Sequence, residues 1–316
     1  PCAGVAHRAR RFDRRCELMD GFRIPIGSWV NSFIDFVTEY FGWLFDFIAV
    51  IFSSLYKGAE WIFTAPPFWV IIIVIAAIAW LAKGWKLAIG SAIGLLLVVS
   101  IGQWNNTMQT LALTIVAVII AILIAVPLGI WAARSQTVST VVRPILDFLQ
   151  TMPAFVYLIP AIFLFGVGVV PGMVATVLFA VAPGVRLTEL GIRGVDREVV
   201  EAGNAFGATP GRILRQIQLP LAMPSIMAGV NQVIMLSLSM SVIASMVGAP
   251  GLGKDIIQAL SRTAIALGFE AGLAVVIIAM ILDRITGGFG IRSRTARSST
   301  AGRGSRRAAA ASTASV

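Results

Sequence analysis

The chain has one histidine, His7, and two cysteines, Cys2 and Cys16, all near the N-terminus. The body of the protein therefore lacks thiol and imidazole. That excludes a disulfide framework, a spaced His/Cys metal site and His-based acid–base catalysis there. Charge is scarce as well. Of 316 residues, 13% are charged and 58% hydrophobic, and the mean hydropathy is +0.88, far from the balance of a soluble domain. No charged residue occurs in Leu87–Ala133, Phe148–Val185, Gln216–Gly253 or Ala271–Leu282. All but the last of these runs can hold at least one membrane span of about 20 residues. They are continuously apolar, whereas barrel strands alternate apolar and polar residues, so helices are predicted.

What charge there is lies mainly at the ends. The net charge is +10, but residues 1–18 hold five Arg against Asp13 and Glu17, and six Arg and no acid follow Ile291. Basic ends on an apolar chain report topology or contact with anionic membrane lipid, and no nucleic-acid partner is predicted. Residues 1–18 form an Arg-rich segment without the apolar stretch of a secretory signal. We expect this segment to be non-native or disordered, with translation starting at Met19. Residues 291–316, rich in Arg, Ser and Ala, read as a disordered cytoplasmic tail.

Between the ends, residues 19–62 read as an interfacial amphipathic region. Trp29, Phe33, Phe36, Val37, Tyr40, Phe41 and Leu44 recur at helical spacing, interrupted by Asp35, Glu39 and Asp46. The alternative is a true span at Phe41–Leu55 with Asp46 buried, which is costly for an unpaired acid. Seven spans follow: Pro67–Leu81 and Leu87–Ile101 within residues 63–105, then Leu111–Ala133, Phe148–Val169, Met173–Leu190, Leu221–Val247 and Ala271–Ile285 within a core of residues 106–290. The predicted fold is an all-α polytopic membrane protein of about seven transmembrane helices plus the N-terminal interfacial helix. Lys83 and Lys86, Arg134 and Arg143, the arginines of residues 186–215, and Arg284 make every second loop basic. That alternation puts residues 191–220 and the C-terminus in the cytoplasm of a cell with a plasma, or inner, membrane.

The segment 191–220 is too polar to cross and too rich in turn signals for one helix. Glu198–Phe206 suits a first short helix, Gly207 a left-handed end, Thr209 and Pro210 the start of a second, and Pro220 its termination. Ile213, Leu214 and Ile217 share one face of that second helix. Gly248–Lys254 fits a phosphate-binding G-x-x-x-x-G-K pattern, but Asp255 stands where Ser or Thr would bind Mg²⁺. With no soluble strand before it and an outside position, it reads as an extracytoplasmic turn. In the sixth span Asn231, Gln232, Ser237, Ser239, Ser241 and Ser245 are polar, and Ser237, Ser241 and Ser245 recur every fourth residue. Two readings stand: a path-lining face, or small residues that pack and bond their own backbone. Tyr157 and Phe155 are path candidates on the same terms, and Gly90-x-x-x-Gly94 reads as packing.

Glu201-Ala202-Gly203, then Gly207 after three residues, then Ile217-x-Leu219-Pro220 after nine, resembles the EAA loop of ABC importer permeases. The match departs at Gly203, where the family usually has Ala. The strings RIPIGSWVNSFIDF and TMPAFVYLIP (residues 151–160), with Gly251-Leu252-Gly253, resemble permeases for glycine betaine, proline betaine, choline or carnitine. The resemblance implies that Glu201, Ala202, Gly203, Gly207, Ile217, Leu219 and Pro220 form a coupling loop for a separate ABC ATPase. It further implies ATP and Mg²⁺ on that partner and no cofactor or metal on this chain, an extracytoplasmic substrate-binding protein, a second permease copy, and a transport subunit rather than an enzyme. Another small solute such as an amino acid, or an ion-coupled carrier, is the alternative. The absence of ionisable residues from the long spans disfavours the carrier, and no charged ring or filter supports a channel. Mass spectrometry of the purified protein tests the start: an N-terminus at Met19 is expected, and peptides from residues 2–16 would refute it.

Overall fold

The structure, a computed structural model, describes residues 26–288; the segment 1–18, the start at Met19 and the tail 291–316 lie outside the described residues. The described residues are helical and contain no strand. In chain order they form α1 (Ile26–Thr64), α2 (Phe68–Lys83), α3 (Trp85–Ser100), α4 (Trp104–Arg134), α5 (Gln136–Thr151), α6 (Ala154–Phe165) and α7 (Val169–Arg193). They continue with α8 (Arg197–Ala205), α9 (Pro210–Ile213), a π turn (Leu214–Gln218), α10 (Leu219–Ala244), α11 (Leu252–Arg262) and α12 (Ile265–Gly288). The chain divides into two compact units, one ending at Asp46 and the other beginning at Phe47.

In the first unit, Phe36 stacks at 4.6 Å on Tyr40 one turn away, while Trp29, Phe41 and Trp43 stand exposed. Asp35, Glu39 and Asp46 are exposed too. Residues 34–64 form 31 residues long and apolar enough to cross a membrane, which the interfacial reading did not anticipate. The alternative of a true span at Phe41–Leu55 is thus met in length and composition.

Seven spans were expected; the described residues hold five helices long and apolar enough to cross, or six if α5 and α6 count as one. Two differences have clear causes. Helices α2 and α3 have 16 residues each, cut short at Gly84 (φ 95°). The expected straight span Phe148–Val169 is instead broken, with α5 and α6 meeting at 100°. Met152 before Pro153 is extended (φ −72°, ψ 134°), as the proline ring demands of its predecessor. Helix α6, 12 residues long, rises only about 18 Å. The Tyr157 hydroxyl donates to the Leu149 carbonyl across the break, and its ring packs edge-on to Phe179 at 6.2 Å.

The centre of the second unit is the contact of α4, α7 and α10. Lipid tails are as apolar as leucine, so burial alone does not draw membrane helices together; close approach of small residues does. A Cβ on Gly184 of α7 would lie 2.8 Å from Ala125 Cβ of α4 and 3.0 Å from Val233 of α10. One on Gly129 would lie 2.6 Å from Thr188 Cβ, and one on Gly172 2.7 Å from Ala244 Cβ. Ala117, Ala121, Ala180 and Val233 fill the space between. Around this centre, Phe52 and Tyr56 of α1 pack on Leu113, Val116 and Met173, while α2, α3, α11 and α12 share a second cluster about Leu95, Val98, Leu252 and Ile277. The Gly90/Gly94 pair divides: Gly94 faces Ile277 of α12, and nothing lies within 4 Å of Gly90.

Overpacking of such contacts costs about 1–3 kcal/mol. Gly184→Val is therefore expected to lower the melting midpoint in detergent, and Gly90→Ala to leave it unchanged. Equal midpoints for the two variants would contradict this packing.

Candidate functional site

Helix α7 ends at Arg193, and Asp196 opens α8 by accepting the Glu198 N–H at 3.0 Å. Helix α8 closes with its last carbonyls satisfied by a left-handed glycine: the Gly207 N–H (φ 71°) reaches the Asn204 carbonyl at 2.9 Å, and the Ala208 N–H reaches that of Gly203 at 3.1 Å. The expected first helix and its Gly207 end are thus found, shifted by one residue to Arg197–Ala205. Pro210 begins the second helix as expected. Thr209 occupies the cap position, but its carbonyl rather than its hydroxyl takes part, accepting from the N–H groups of Arg212 and Ile213 at 2.9 and 3.0 Å.

Pro220 does not end this helix. From Pro210 to Val247 the chain is one helical span of 38 residues. The π turn Leu214–Gln218 re-registers the backbone ahead of the proline, with the Leu219 N–H bonded to the Leu214 carbonyl. One extra residue in the turn absorbs the ring that would otherwise crowd the preceding turn. The loop is therefore joined without a break to α10, one of the three central helices.

The seven expected loop residues divide by orientation. Glu201, Ala202 and Gly207 are exposed, whereas Gly203, Ile217, Leu219 and Pro220 are partly buried. Gly203 faces the second helix: a Cβ there would lie 2.8 Å from the mobile Ile217 Cδ1 and 3.6 Å from Ile213 Cγ1, a contact that a small shift of Ile217 accommodates. Ile213 and Leu214 are buried as the shared face predicted, and Leu219 joins Leu214, Ile192, Ala222 and Ile226 beneath the loop. Sequence reasoning passed over Phe206, which is 92% exposed between Ala205 and Gly207. The signal was available: a lone large apolar residue next to a turn glycine in a polar segment. Around the projection, a cleft of about 680 Å³ is lined by Arg134, Arg193, Arg197 and Glu201 among others, and another of about 500 Å³ by Arg134, Arg212 and Arg215.

The expected path residues are not brought together. Ser237 and Ser241 are buried inside the second unit, with the Ser241 hydroxyl donating to the Leu238 carbonyl at 2.7 Å, and Ser245 is partly buried. Gln232 and Ser239 are exposed instead. Asn231 bonds to α12, donating to Asp283 Oδ1 at 3.0 Å and accepting from the Thr286 hydroxyl at 2.6 Å. Tyr157 is buried in its brace across the α5–α6 break, and Phe155 is exposed.

The phosphate-loop look-alike has a packing explanation. Gly251 (φ 118°) lies against Thr110 of α4, and Gly253 against Val242 of α10 and Ser245 just beyond its end, so a side chain fits at neither. Thr110 Oγ1 accepts the Leu252 N–H at 2.8 Å, and Asp255 Oδ2 accepts from Asn106 Nδ2 at 2.6 Å. These contacts use the start of α4, opposite the end at Arg134 that lines the loop clefts. Among the described residues no three His, Cys, Asp or Glu side chains gather as a metal site.

Comparison with known proteins places this architecture. Residues 125–290 match the profile of the family described as binding-protein-dependent transport system inner membrane component. The glycine betaine/carnitine transport permease protein GbuB of Listeria monocytogenes is 46% identical, the match covering 86% of this chain and 98% of that protein. The glycine betaine transport system permease protein OpuAB of Bacillus subtilis is also 46% identical, over 86% of this chain and 97% of its own length. The glycine betaine/proline betaine permease protein ProW of Escherichia coli is 44% identical, over 86% and 77%. In fold, the chain is similar to a chain of the MetNI methionine ABC transporter, with a TM-score of 0.55 at 20% identity, covering 60% of this chain and 95% of that one. The helix set and these relatives agree: the chain belongs to the family of inner membrane components of binding-protein-dependent transport systems, as a multi-pass permease subunit.

Proposed function

We propose that this chain is the permease of an ATP-driven importer of compatible solutes of the quaternary-amine class, and that residues 194–220 dock its ATPase. One observation carries the docking assignment: a folded projection, α8–Gly207–α9, stands at one end of the bundle and presents Phe206 to solvent while running without a break into α10. A fully exposed aromatic side chain outside the spans can anchor a protein contact when it enters a pocket on the partner. Continuity with α10 gives a displacement of the projection a rigid route into the central helices.

In this reading Glu201, Ala202, Phe206 and Gly207 meet the ATPase, and Gly203, Ile217, Leu219 and Pro220 seat the projection on the bundle. ATP and Mg²⁺ belong to that partner. The projection and the C-terminus are cytoplasmic, a placement supported by the arginines at this end, Arg134, Arg193, Arg197, Arg212 and Arg215. The opposite end, where Gly251-Leu252-Gly253 packs between α4 and α10, faces an extracytoplasmic binding protein. The names of GbuB, OpuAB and ProW, all with glycine betaine, support the solute class. Selection of the solute belongs to a separate binding protein, whose aromatic residues would hold a quaternary ammonium. A second copy of the permease completes the path, with Gln232 and Ser239, exposed on α10, as candidates to face it.

Substitution tests the docking. A bulky residue at Gly207 is forced into a left-handed conformation that costs about 1–3 kcal/mol, and Phe206→Ser removes the apolar anchor without disturbing a buried contact. Gly207→Leu and Phe206→Ser are each expected to lose co-purification of the ATPase and ATP-driven uptake while the permease stays in the membrane at normal levels. Wild-type association and uptake in both would refute the assignment.

A further inference from the structure

Glu189 lies near the end of α7, one helical turn before its last residue, Arg193, and is only 4% exposed. Burying a carboxylate is expensive unless several donors meet it. Here three converge on Oε1: the Ser139 hydroxyl at 2.7 Å, Arg143 Nη2 at 2.9 Å and Arg193 Nε at 3.0 Å. Ser139 and Arg143 belong to α5, so this one oxygen ties α7 to the helix that leads into the 100° break.

Arg193 extends the tie. Besides Glu189, its guanidinium donates through Nη1 to Gln136 Oε1 at 2.8 Å and through Nη2 to the Ala132 carbonyl at 2.9 Å. The last residue of α7 is thereby held to the first residue of α5 and to the end of α4. Its planar fork serves three elements at once, which a lysine could not do. Arg186 pairs with Asp147 one helical stretch further along the same two helices. The two helices are thus joined by charged contacts at two levels, while the projection hangs directly from Arg193.

We infer that Glu189 is a positioning residue that passes displacement of the docking projection to α5 and so to the α5–α6 break. The inference rests on the proposed docking role of residues 194–220. A contact of several charge-assisted hydrogen bonds resists small relative shifts and moves as a unit. The projection therefore cannot swing without pulling α5 unless this cluster parts. Glu189→Gln keeps the shape of the side chain but removes the charge that Arg143 and Arg193 share, so α7 and α5 are held less firmly, by Arg193–Gln136 and Arg186–Asp147 alone among their charged contacts.

The experiment measures uptake and ATP hydrolysis together in vesicles holding the complete transporter, with Glu189→Gln and with Glu189→Gln/Arg143→Gln, the second variant relieving the unpaired arginine. Both are expected to retain the co-purified ATPase and to hydrolyse ATP, with uptake per ATP falling about fivefold or more, the range of ordinary coupling energies. A role confined to holding the fold would lower assembly, hydrolysis and uptake in parallel, and an unchanged ratio in either assembled variant overturns the inference. A second measurement keeps the cluster intact. With Cys2 and Cys16 replaced by Ser, spin labels on the exposed positions Val199 of α8 and Val141 of α5 are expected to shift together, relative to a label on α12, when ATP is added. A shift of Val199 with Val141 stationary overturns it equally. Absence of ATP-driven uptake by the unaltered chain would instead refute the importer reading, and this inference with it.

Discussion

Everything in the second unit hangs on how closely α4, α7 and α10 approach. In lipid no hydrophobic drive pulls one helix to another, so contact must come from shape and from polar groups that find partners. The glycines supply the shape: Gly184, Gly129 and Gly172 stand where any Cβ would meet a neighbour at 2.6–2.8 Å. The same device recurs at the ends. A Cβ on Gly191 would lie 2.7 Å from Ser225 Cβ beneath the projection, and Gly251 and Gly253 seat α11 between α4 and α10. A core fixed in this way is stiff. Motion imposed at one end is carried by whole helices rather than lost in soft side chains.

Polar residues then decide which helices travel together. Asn231 binds α10 to Asp283 and Thr286 of α12, and Asn106 and Thr110 bind α4 to α11. Glu189 and Arg193 bind α7 to α5 and α4. Each buried polar group of this kind would be costly alone, and each is placed between helices rather than within one. The docking projection joins two of these sets, since it hangs from α7 through Arg193 and runs into α10 through the π turn.

The sequence announced the helices, the polar segment and its Gly207 turn because those depend on local chemistry: apolar runs, caps and a position needing positive φ. It did not announce what depends on partners distant in the chain. Phe148–Val169 reads as one apolar run, and only the extended residue before Pro153 and the Tyr157–Leu149 contact reveal a sharp break. Pro220 signals a helix end by itself, yet the π turn before it carries the helix through. Ser237 and Ser241 recur at path-lining spacing, but that spacing does not say which side of α10 meets α4 and α7. In the sequence Glu189 is only one acid beside a basic segment. Its meaning lies in Ser139 and Arg143, about fifty residues away in the chain.

In the proposed reading the work of transport is divided between chains: this one provides stiff helices, a break, and a projection rooted in the central helices, while energy and solute choice come from partner proteins. The most direct test reconstitutes the chain with an ATPase partner and a glycine betaine-binding protein in vesicles with no ion gradient. The account predicts accumulation of radiolabelled glycine betaine only when ATP, ATPase and binding protein are all present. Accumulation by this chain alone, driven by a sodium or proton gradient and indifferent to ATP, would contradict it.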